Sequence, residues 1–79
     1  MNENNGLYNL ISNVLEIDIN AVNKETSPDN TDSWDSLNMV KVVIEIEKEF
    51  GVRFELDDIS DISNVGDIVN LLKDHKIDL

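Results

Sequence analysis

The chain has 79 residues, no cysteine, one histidine and a formal net charge of −11, from 17 acidic against 6 basic side chains. That length holds one small domain with a thin core, and without cysteine there is no disulfide, no thiolate metal site and no cysteine nucleophile. The acidity excludes nucleic acid, whose phosphates need lysine and arginine to release their counterions, and it disfavours anionic membrane. Basic protein surfaces are the partners it favours. No basic n-region leading into an apolar run opens the sequence, and no segment is apolar for long enough to span a membrane, so a cytoplasmic location and a monomer are expected.

Leu7, Leu10, Ile11, Val14 and Leu15 recur at the spacing of one helical face and predict a helix over about 5–16, with Asn4 or Asn5 as its N-cap. From about 17–35 the period is lost and Asp, Asn, Ser and Thr cluster around Pro28, which reads as a long loop. Ile17, Ile19 and Val22 are expected to pin its first half to the core, and Trp34 its end. Leu37, Val40, Val43, Ile44, Ile46 and Phe50 then predict a second helix over about 36–50. On it, Glu45 and Glu49 repel across one turn, Lys48 compensates Glu45, and Gly51 is the expected terminator.

Val52, Phe54 and Leu56 alternate with Arg53 and Glu55. A lone strand would have no partner, so the segment is read as an extended connector with its apolar side on the core. Asp57 or Asp58 opens a short helix over about 57–62 that contains Ile59 and Ile62. The last helix is predicted over about 64–76, where Asn64 and Asp67 resemble a capping box and Val65, Ile68, Val69 and Leu72 form its buried stripe. Lys73, His75 and Lys76 complement the negative end of its dipole. The fold class is all-α, a small bundle of three main helices and one short one.

The junction Asp32-Ser33-Trp34-Asp35-Ser36-Leu37 holds the best candidate for chemistry. If Asp35 is the N-cap, its carboxylate accepts the Asn38 N–H and Ser36 becomes the first helical residue, its hydroxyl free and exposed. The positive end of the helix favours an attached phosphate diester there. No general base lies nearby in sequence, so the site suits a serine modified by another enzyme rather than a nucleophile of its own, and no catalytic residue is assigned. A calcium loop starting at Asp61 fails because Val65 and Leu72 fall on ligand positions, so no metal site is assigned either.

Asp35-Ser36-Leu37, the run through Val40, Val42, Val43, Glu45 and Glu47, the segment Glu49-Phe50-Gly51-Val52, then Asp57-Asp58, Ile62 and Val65-Gly66-Asp67 together resemble the acyl carrier protein family over nearly the whole chain. The resemblance implies that Ser36 bears 4′-phosphopantetheine, moved from coenzyme A by a phosphopantetheinyl transferase. It implies a thiol that carries acyl groups as thioesters for enzymes of fatty-acid, polyketide or related biosynthesis, and a protein that is not itself an enzyme. It also implies that the second helix meets partner enzymes through Asp35, Leu37, Asn38, Met39, Lys41, Ile44, Glu45 and Glu47. Core packing is the competing role for Leu37 and Met39.

Three positions depart from the fatty-acid carriers. Asn38 and Lys41 stand where those carriers commonly have acidic residues, and Trp34 stands where they have a small one. The departures point to a specialised rather than a housekeeping carrier, with an aminoacyl or peptidyl carrier of a secondary pathway as an alternative. An acidic protein-binding module without a prosthetic group is the rival from another class.

Overall fold

The computed structural model describes residues 5–77. Its elements are α1 (Asn5–Leu15), a single 3-10 turn (Ile19–Ala21), α2 (Ser36–Phe50), α3 (Leu56–Ser60) and α4 (Val65–Asp74). The short helix thus begins and ends slightly earlier than expected, and the last helix stops before His75. The expected cap of α1, Asn4, and the side chain of Asn5 lie outside what is described.

Leu7, Ile11 and Leu15 of α1 meet Val42, Val43 and Ile46 of α2 and Val65, Ile68, Val69 and Leu72 of α4 in one buried cluster. Phe54 from the connector, Ile62, and Val22 and Trp34 from the long loop complete it. The connector 52–55 has no regular structure, in line with its reading as an extended segment. Phe54 turns inward, and its ring meets that of His75 with centroids 5.4 Å apart. Phe54 N–H donates to the Glu47 carboxylate at 2.8 Å, which ties the connector back onto α2.

The apolar spacing of α2 divides between the core and the surface. Leu37, Val40 and Ile44 are 65%, 55% and 47% exposed. At 3.6 residues per turn, a face through Met39, Val42, Val43, Ile46 and Phe50 leaves residues 37, 40 and 44 on another side of the cylinder. α2 therefore carries two apolar stripes, and only one of them is buried. Leu56 opens α3 pointing outward, and Ile19 sits in the exposed 3-10 turn, so Val22 and the half-buried Ile17 hold the first part of the loop.

Three helices close in the same way. A left-handed residue follows each, directly after α1 and α2 (Glu16 at φ 56°, Gly51 at φ 66°) and one residue further on after α4 (Lys76 at φ 66°), and the next N–H reaches back five residues: Ile17 to Ser12 O, Val52 to Glu47 O, Ile77 to Leu72 O. Only Gly51 takes this conformation without a Cβ penalty. At the helix starts, Asn64 accepts the Asp67 N–H at 2.8 Å, but the shorter Asp67 carboxylate returns to the N–H of Ser63, one residue before the expected position. Glu55, not Asp57 or Asp58, precedes α3, and Asp58 accepts the Glu55 N–H at 3.2 Å.

The long loop is fastened at its middle. The hydroxyl of buried Thr26 donates to Ala21 O at 2.9 Å and accepts the Asn23 N–H at 2.9 Å. The first amides of α4 are satisfied by this loop: Val65 N–H donates to Thr26 O and Gly66 N–H to Lys24 O, both at 2.9 Å. The contact with Lys24 is close enough that a Cβ on residue 66 would lie 3.2 Å from that carbonyl oxygen. Gly66 is thus the residue that lets α4 abut the loop.

Candidate functional site

The loop delivers Ser36 to the start of α2 through a sequence of local constraints. Trp34 is 2% exposed and anchors the end of the loop in the core. One residue on, Asp35 is extended and caps α2, its Oδ1 accepting the Asn38 N–H at 2.9 Å, while its carbonyl accepts the Met39 N–H at 2.8 Å. Ser36 is then the first residue of α2, and it is exposed. The side chain of Asn38 donates to the Ser33 carbonyl, which fixes the loop to the helix a second time. This serine therefore stands on a rigid corner rather than on a free loop.

Beside it lies a recess of about 430 Å³ lined by Pro28, Trp34, Asp35, Ser36 and Met39. Two buried polar atoms next to the corner, Ser33 Oγ and Trp34 Nε1, have no hydrogen-bond partner among the described residues. Buried polar groups are usually paired, and leaving one unpaired costs about 1–3 kcal/mol.

The residues expected to meet partners fall into different environments. Leu37, Lys41, Ile44 and Glu45 are exposed along one side of α2. Leu37 is thus free of the core, whereas Met39 is half-buried and packs against it. Asn38 is occupied with Ser33, and Glu47 with Phe54. Asp35 is exposed but spends one carboxylate oxygen on the helix cap. Glu45 lies 3.8 Å from Lys48, as its spacing predicted; both side chains are well exposed, and such a pair contributes little to stability. Val40 completes the outer stripe between Leu37 and Ile44, a position that its place in the helical period does not show. Only the contrast between the two faces of α2 could have revealed it.

No group of three or more His, Asp or Glu side chains that could hold a metal ion occurs among the described residues. Lone His75 sits at the far end of α4, where its ring packs on Phe54.

Residues 5–72 match the family described as "Phosphopantetheine attachment site". An acyl carrier protein of Lactobacillus acidophilus is 31% identical over 72 residues, which cover 91% of this chain and 90% of the relative. That of Thermotoga maritima is 38% identical over 64 residues, 81% of this chain and 79% of the relative. Among solved structures, the holo acyl carrier protein of Geobacter metallireducens superposes with a TM-score of 0.81 at 27% identity, over 94% of this chain and 85% of that one.

Proposed function

The chain belongs to the acyl carrier protein family, and from that premise we propose that Ser36 Oγ is the atom to which its 4′-phosphopantetheine is attached. Membership makes it a phosphopantetheine-dependent carrier and not an enzyme. The observation that supports Ser36 is its position: an exposed serine as the first residue of a capped helix, at the end of an anchored loop.

The residues present fit the group. Asp35 takes the amide of Asn38, and the remaining positive character at the start of α2 would favour a phosphate ester on Ser36. The recess gives the first part of the arm somewhere to lie other than bulk water. When bound, the arm supplies the terminal thiol on which acyl groups travel as thioesters, chemistry that this cysteine-free chain lacks. The chain itself presents the hydroxyl, holds the corner rigid and offers a surface for recognition.

That surface is the outer side of α2. Leu37, Val40 and Ile44 give an apolar strip, with Glu45 and Lys41 beside it. A transferase or an acyl-loading enzyme with a basic rim around an apolar patch is complementary to it, and the net charge of −11 steers the encounter. Lys41 is the odd charge on this side, and in our reading it selects against enzymes built for uniformly acidic carriers. A cytoplasmic setting, where coenzyme A and such enzymes meet, completes the proposal; no helix among the described residues is long and apolar enough to cross a membrane.

The test is intact mass after incubation with coenzyme A, magnesium and a broad-specificity phosphopantetheinyl transferase. One phosphopantetheine adduct is expected on the parent chain and none on Ser36→Ala. An unmodified mass on a folded parent, or an adduct that persists in Ser36→Ala, refutes the assignment.

A further inference from the structure

We propose that the groove between α1 and α2 is a self-complementary seat for a second copy of this chain, which pairs through it about a twofold axis. The pairing does not depend on what Ser36 carries. The groove is an open depression of about 850 Å³. Leu10 and Val14 of α1, both half-buried, and the exposed Ile44 of α2 give it an apolar lining. Its α1 wall adds Asn9 and Asn13, and the whole of α1, Asn5–Leu15, holds no charged side chain. In a chain of net charge −11, this is a face that another copy approaches against little local repulsion.

The opposite wall carries both signs. Lys41 and Glu45 stand one turn apart on α2, and both are exposed. No ion pair joins Lys41 to a carboxylate among the described residues, and Glu45 has only its long, exposed contact with Lys48. Lys before Glu is the poorer order for a pair within one helix. Across a twofold axis the same two residues match, because Lys41 of each copy then faces Glu45 of the other. An axis passing between residues 41 and 45 sets the two α2 helices antiparallel and brings the two Ile44 side chains together, beside Leu10 and Val14. A uniformly basic partner would be opposed by Lys41 and gain nothing from the uncharged α1 wall, so a second copy is the occupant that the charges favour. A contact of this limited size belongs to the weak, transient class. It covers Lys41, Ile44 and Glu45, part of the side of α2 offered to enzymes, so a paired chain is withheld from them.

The experiment takes the full chain from micromolar to millimolar concentration at physiological and at high salt. Sedimentation equilibrium is expected to show the mass rising toward that of two chains, more readily at high salt, where the repulsion between copies is screened. The amide NMR signals that move with concentration should be those of residues 9–14 and 41–49. Lys41→Glu should raise the dissociation constant about tenfold, because the symmetry turns two attractions into two repulsions. Glu45→Lys should raise it by less, since it also lowers the overall repulsion. The double variant keeps the net charge of −11 and should restore the pairing, as should an equimolar mixture of the two single variants. A chain that stays monomeric throughout leaves the groove to a partner enzyme and overturns the proposal. So does association whose shifts gather on Leu37, Val40 and Leu56, or whose loss in the single variants the double variant fails to restore.

Discussion

Asp35 precedes the serine and caps its helix, and its two contributions separate cleanly by substitution. Asp35→Ala removes the acceptor of the Asn38 N–H, a bond of 2.9 Å. Losing an N-cap of this kind costs about 1 kcal/mol. In a domain of this size, about 1 kcal/mol lowers the melting temperature by about 4–8 °C. Asp35→Asn keeps an acceptor in place and loses only the charge. That charge is worth about 0.3–1 kcal/mol against the helix dipole at low salt. Removing one negative group from a chain of net charge −11 also relieves repulsion, which offsets part of that loss. Thermal unfolding followed by far-UV circular dichroism should therefore place Asn close to the parent and Ala clearly below it. Hydrogen exchange at the Asn38 amide should be accelerated in Ala and nearly unchanged in Asn. Equal losses for the two variants would mean that charge, not the hydrogen bond, sets the start of α2. No loss in either would mean that the Asn38 side chain on the Ser33 carbonyl holds the corner alone.

Gly66→Ala should fail to give the gain of about 1 kcal/mol that the same exchange gives in an ordinary helix, because the new methyl would stand 3.2 Å from Lys24 O; a melting temperature raised by several degrees would contradict the close contact. Glu16→Gly should stabilise the chain by up to about 1 kcal/mol, since it relieves a left-handed residue with a Cβ; urea unfolding measures it, and a loss of stability would count against strain at that position. Lys41→Glu should speed arm transfer by a transferase that serves fatty-acid carriers, through the association rate and most strongly at low salt; rates that do not change with the substitution at any salt concentration would remove Lys41 from the specificity argument.

The start of α2 was legible because each of its signals is local. Asp35 acts three residues away on Asn38, and Gly51 ends the helix by its own backbone freedom. The connector was legible too, because a lone alternating segment has nothing to pair with. Less was readable where a residue's role depends on a distant partner. The apolar spacing of α2 was identified, but Leu37, Val40 and Ile44 satisfy a helical period as well as Val42, Val43 and Ile46 do; only the packing of α1 and α4 decides which stripe is covered. Glu47 resembles any surface acid until Phe54 is brought beside it. The attachment of the loop to α4 uses backbone carbonyls of Lys24 and Thr26, which leave no trace in side-chain identity. Gly66 was the one visible hint of it.

The uncovered stripe on α2 has a colloidal consequence. An exposed apolar strip invites a protein to stick to its own copies. Here two copies approach with like charges of −11 each, so in dilute salt they hold one another off while a basic partner is drawn in. Screening shortens the reach of both effects together, to about 8 Å at physiological ionic strength. Concentrated salt therefore lowers selectivity twice over, by slowing the wanted encounter and by removing the barrier to self-association.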